Sequence, residues 1–231
     1  MQRTLVIAAL ILAAALAIAA ARPKTAHSAP CRDSCNMSDM AGMGLHMTLT
    51  PAMPAHPGDA QRADAIVGTL RTAIAKYRDY RVAEQDGFTP FLADIPQPQY
   101  HFTNWHNAVA AQFSFDPTRP TSLLYTKTST GYELIGAMYT APRSATLADL
   151  DARVPLSIAH WHEHVNFCKA PAGMGRDAYF WPGAKFGLAG SIATQDACQA
   201  AGGTFIPVLF NWMVHVYPFA TSPADVWKIT H

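Results

Sequence analysis

Charge is scarce in this chain. Only 14% of its 231 residues are Asp, Glu, Lys or Arg, and the formal net charge is +1. No Lys/Arg patch stands out, so nucleic acid is not expected as a partner. Glutamate is almost missing: Glu84, Glu133 and Glu163 are the three in the chain. There is no Ser/His/Asp arrangement, no phosphate-binding glycine loop and no C-x-x-C-H haem-attachment motif. Those absences set aside triad hydrolysis, phosphate-loop nucleotide chemistry and covalent haem. Proline and glycine, by contrast, number 17 and 14, which suggests a loop-rich fold with many turns.

What is present is histidine in one dense run, His160-Trp161-His162-Glu163-His164. Neutral imidazole is the commonest metal ligand, and buried imidazoles need polar partners, so three in five residues point to metal binding. As a strand, the run presents His160, His162 and His164 on one face and Trp161, Glu163 and Val165 on the other. As a helix it spells H-x-x-E-H, the inverted zinc-peptidase motif, with His162 turned away. The strand is favoured. Pro155 lies just upstream, where a missing N–H is tolerated. Ile158, Trp161, Val165 and Phe167 are β-formers, and no glutamate follows to complete a peptidase ligand set. On a strand, Glu163 faces away from the imidazoles and is assigned no catalytic role. His215, among Trp212, Val214, Val216 and Tyr217, and His101, in Gln99–His106, are candidates for the same site.

The N-terminus reads as a targeting segment. Arg3 supplies a positive region, Leu5 to Ala21 is an unbroken apolar run, and Arg22-Pro23-Lys24 stops it. Residues 1–29 are therefore expected to be a signal peptide or an uncleaved N-terminal anchor, which is the one route to a membrane. The expected location is the periplasm or the exterior, with inner-membrane anchoring as the alternative. In an oxidising compartment four cysteines suggest disulfides. Cys168–Cys198 is the expected structural bridge, closing about 30 residues and worth roughly 3–4 kcal/mol in the chain-entropy model; Cys168 as a thiolate ligand is the alternative.

Residues 30–58 read as a flexible segment ending in a proline-spaced linker. Five of nine methionines fall between residues 37 and 53. Soft sulfur ligands select Cu(I), so Cys31, Cys35, Met37, Met40, Met43, His46 and Met47 form a candidate copper-gathering segment. An exposed linker with a local Cys31–Cys35 disulfide is the competing reading. From Asp59, a reasonable N-cap, Ala63, Ile66, Val67, Leu70, Ile74 and Tyr77 recur at helical spacing, which predicts a helix to about Gln85 closed by Gly87. Ser122–Thr126 and Tyr132–Thr140 read as a hairpin, residues 146–153 as a helical turn or two, and Phe205–Tyr217 as one long strand with room for a bulge.

The segment Trp161-His162-Glu163-His164-Val165-Asn166-Phe167-Cys168 resembles, with Gly202-Gly203-Thr204-Phe205 and Trp212-Met213-Val214-His215-Val216-Tyr217-Pro218, a set of exported bacterial proteins of uncharacterised function. The likeness covers most of the chain from Ala60 onward. It implies a shared domain and carries no activity. His162-x-His164 with a later histidine, His215, also resembles the cupin pattern, although the cupin glutamate after H-x-H and its P-x-G motif are missing.

The expectation is an α+β, β-rich single domain over residues 59–231, with one N-terminal helix and a disulfide brace. It would bind copper or zinc through His160, His162 and His164 with His215 or His101. Copper capture, delivery or resistance is the leading role, with another copper-handling protein as possible partner. A secreted metalloenzyme, such as a cupin-like oxygenase or a hydrolase, and an envelope protein with structural zinc are the alternatives. Whether it is an enzyme is left open.

Overall fold

A computed structural model describes residues 44–180 and 183–229. The domain is α+β and rich in strands. In chain order the elements are β1 (Met47–Leu49), α1 (Asp59–Ile74), α2 (Tyr80–Gln85), β2 (Phe88–Pro90), β3 (Tyr100–Asn104), α3 (Trp105–Ala110), β4 (Ser122–Thr128) and β5 (Gly131–Ala141). They continue with α4 (Leu147–Arg153), β6 (His162–Lys169), α5 (Asp177–Phe180), α6 (Gln195–Ala200), β7 (Thr204–Val208) and β8 (Trp212–Val216). The sheet is antiparallel in the order β1-β6-β8-β5-β4-β3-β2, and β7 pairs with the far half of β6. Among the described residues no helix is long and apolar enough to cross a membrane.

One sheet face carries the main core. Ile66, Val67, Leu70 and Ile74 of α1 pack there on Phe102, Leu123, Tyr125, Tyr139, Val214 and Val216. Leu70 and Ile74 are essentially inaccessible, each contributing roughly 1.5–3 kcal/mol. The long predicted helix is interrupted. After α1 the chain tightens into a 3-10 turn, Ala75–Arg78, and Asp79 adopts an extended conformation to cap α2, its carboxylate accepting from Arg81 N–H. The cap of α1 is Gly58 in the left-handed region, not Asp59. Asp59, one residue in, accepts from Ser157 Oγ at 2.6 Å, from the His56 N–H at 2.9 Å and from Arg62 at 3.2 Å. These bonds hold its carboxyl below the usual carboxylate range.

The opposite face holds a smaller cluster, Leu124, Met138, Met213 and Tyr217, with Phe210 packed against it. Gly136 belongs to this face because it pairs with Leu124. A Cβ on Gly136 would lie 2.4 Å from the Val216 carbonyl oxygen and 3.0 Å from Tyr217 Cδ1, so only glycine lets the Tyr217 ring lie over the sheet. Cys168 and Cys198 are bridged and fully buried, with Phe186 and Tyr179 of the intervening loop packed over them.

Three differences from the sequence reading have physical causes. Part of the segment expected to be flexible is ordered, because β1 adds to the edge of β6, with Met47 opposite His164 and Leu49 opposite His162. Next to it, Thr50 exchanges bonds with the backbone of Trp161. The apolar run 205–217 is two strands with different partners: β7 pairs with β6, and β8 lies between β6 and β5. β6 itself is bent at Asn166, which sits at φ 57°, a conformation that asparagine tolerates better than most residues. Asn166 donates from Nδ2 to the Leu45 carbonyl, and the bend passes β6 from one set of partners to the other.

Candidate metal centre

The run of histidines is strand, so the helical H-x-x-E-H reading is not realised. The strand, however, begins at His162. His160 precedes it, with its Nδ1 2.9 Å from the Thr50 carbonyl oxygen, and has no ring contact with another histidine among the described residues. Trp161, between the two, is buried in the main core on the other face, and His160 is not one of the histidines whose rings meet among the described residues.

His162 and His164 do share a face, and the fold brings two further histidines to it. His215 of β8 lies on the same side because Met213, two residues before it, pairs with His162. The His162 and His215 ring centroids are 5.0 Å apart, and those of His162 and His164 5.7 Å. His101 of β3 completes the group, 5.4 Å from His215 between centroids. Strands β3 and β8 are three places apart in the sheet, about 14 Å if the sheet were flat. Imidazoles standing upright on a flat sheet would not meet, so the sheet curls and the two rings close over the floor formed by β4 and β5.

The Nε2 atoms of His101 and His215 are 3.4 Å apart. That is long for a hydrogen bond. It is close to the edge of a tetrahedron of nitrogens about 2.0–2.1 Å from a metal, which is about 3.3 Å. His162, His164 and His215 are almost inaccessible. Burial pushes the His164 pKa down to about 4, helped by the neighbouring His101 and His46. His101 is half-buried as a residue, but its imidazole is desolvated and its pKa falls to about 4 as well. Both are therefore neutral at physiological pH, the form that binds metals. As the side chains stand, no group of three or more His, Cys, Asp or Glu among the described residues is arranged to hold a metal ion. Binding through all four imidazoles requires ring rotation.

Two aromatic residues and a carboxamide that sequence reasoning did not place at the site border it. Phe210 packs on His164 at 5.8 Å between centroids, and Tyr217 lies 6.3 Å from His215. The Tyr217 hydroxyl donates to Gln99 Oε1 at 2.7 Å. Strand alternation carries the signal for both polar residues: Gln99 is two residues before His101, and Tyr217 two after His215.

Glu163 points to the reverse face, paired with Thr48. Burial raises its pKa, an effect that Arg143 partly opposes. It is no base toward this cluster. Cys168 is in the disulfide, so the thiolate-ligand alternative is not realised. His46 is buried, with Nδ1 3.1 Å from the Asn166 carbonyl and Nε2 2.8 Å from that of Gly190. It joins the N-terminal segment to the 183–190 loop instead of belonging to a free tail. Met47 is half-buried in β1. Cys31, Cys35, Met37, Met40 and Met43 lie outside the described residues, as do residues 1–29. His106 is exposed on α3.

Scans against protein-family models, curated proteins and solved structures each found no match to this chain.

Proposed function

We propose that this is an exported metal-binding protein whose centre is formed by His101, His162, His164 and His215, with copper as its principal metal and zinc as a competing occupant. The observation that carries the reading is the approach of the His101 and His215 Nε2 atoms to 3.4 Å beside two further buried imidazoles on one sheet face. Neutral nitrogen donors suit Cu and Zn over hard cations, and among the described residues no carboxylate is placed with them. The disulfide Cys168–Cys198 is compatible with an oxidising compartment, as the N-terminal apolar run suggests. The role is copper capture, delivery or resistance, with a second copper-handling protein as partner.

Elemental analysis of untagged protein tests this. The expected result is about one copper or zinc per chain. The metal should be lost in His162→Ala and His215→Ala, and retained in His160→Ala. Wild-type protein that stays metal-free after loading with Cu(I), Cu(II) and Zn(II) refutes the reading.

A further inference from the structure

Cross-strand partners in an antiparallel pair share a face, with Cβ atoms about 4.5–5.5 Å apart. Three of the four clustered histidines have a methionine as that partner. Met47 is opposite His164, Met213 opposite His162, and Met138 opposite His215. The fourth, His101, is opposite Leu124. Met138 and Met213 are buried and belong to the cluster that touches Phe210, and Phe210 in turn packs on His164. Met47 is half-buried at the sheet edge. Each of these three imidazoles thus has a methionine as its cross-strand neighbour on the same face. Each methionine has three rotatable bonds to move its sulfur.

We propose that Met47, Met138 and Met213 form a thioether tier of the same centre. The tier allows the site to hold Cu(I) through sulfur together with imidazole nitrogen, and Cu(II) or Zn(II) through nitrogen alone. The inference rests on the imidazole metal site proposed above and adds the oxidation state that the site accepts. Thioether is a soft donor that selects Cu(I) and contributes little to Zn(II). Glu163, the carboxylate next in sequence to the histidines, is on the far face, so the donors placed together among the described residues are nitrogen and sulfur.

The test compares the metals in the full chain, carrying Cys31→Ser, Cys35→Ser, Met37→Leu, Met40→Leu and Met43→Leu so that N-terminal sulfur does not contribute. Met47→Leu, Met138→Leu and Met213→Leu are then added together. Leu for Met conserves volume and is well tolerated in cores. Cu(I) affinity is read anaerobically by competition with a chromophoric chelator, and Zn(II) affinity with a zinc indicator. The expected result is Cu(I) binding weakened roughly 10- to 100-fold, the range for groups that support a metal site, with Zn(II) binding unchanged. Equal Cu(I) affinity in parent and triple variant overturns the thioether tier and leaves the imidazole site standing. A parent that binds neither metal overturns both. If the triple variant does not fold, Met47→Leu alone decides: a several-fold loss of Cu(I) affinity supports the tier, and an unchanged value overturns it.

Discussion

Replacing both Cys168 and Cys198 with alanine should cost the domain about 3.6 kcal/mol. The two cysteines are 30 residues apart, and closing a loop of that length removes about 12 cal/mol/K from the unfolded chain, or about 3.6 kcal/mol at 298 K. Each kcal/mol corresponds to about 2–4 °C of Tm in a domain of this size, so the expected drop is about 7–15 °C. The sulfurs are fully buried, and a Cβ on Gly203 would sit 2.7 Å from Cys168 Sγ and 3.0 Å from Cys198 Sγ. Packing around the bridge is therefore tight, and removing the sulfurs adds a cavity cost in the same direction. Urea unfolding followed by circular dichroism measures the difference. Reductant should lower the stability of wild type toward that of the double variant and leave the variant unchanged. A loss below about 1 kcal/mol refutes the bridge as the brace of β6.

Gly136→Ala should destabilise the domain by about 1–3 kcal/mol through overpacking, because its new methyl meets the Val216 carbonyl at 2.4 Å and the Tyr217 ring at 3.0 Å; an unfolding curve identical to wild type contradicts this. Asp59 titrates below the usual carboxylate range in the folded state. Its contribution is therefore complete above the unfolded carboxylate pKa and is lost as pH falls through the depressed folded value. Asp59→Asn should flatten the acid limb of a Tm-against-pH curve. Glu163 has the opposite sign, since burial raises its pKa and the folded state favours the protonated form. Glu163→Gln should raise Tm at pH 7.5 and leave it unchanged at pH 4; equal shifts at both pH values would show that charge is not the cause.

Local chemistry made much of this structure legible. The Leu70/Ile74 stripe of α1 has helical spacing, and β4 and β5 have the β-rich composition and the short turn of a hairpin. The Thr146–Asp149 capping box starts α4 where a turn of helix was expected. The pairing of Cys168 with Cys198 and the common face of His162 and His164 were also readable, the latter from alternation alone. Non-local choices were not. β1 contains only Met47, Thr48 and Leu49 and exists because β6 has an edge to pair. β3, which carries His101, is short and runs directly into α3, where Asn104 caps Asn107 N–H. That His101 reaches His215 depends on the curl of four strands, which no window of sequence encodes. His46 lies among methionines in sequence, but its fate is set by two carbonyls, of Asn166 and Gly190, more than 100 residues away.

The centre itself is tested most directly by X-ray absorption at the zinc edge on zinc-loaded protein, beside the His162→Ala/His215→Ala variant. The expected spectrum of the wild type shows three or four nitrogen scatterers at about 2.0 Å with imidazole outer-shell features, and the variant should lose them. An all-oxygen shell in the wild type, or the same spectrum from both proteins, would contradict a metal centre built on these four histidines.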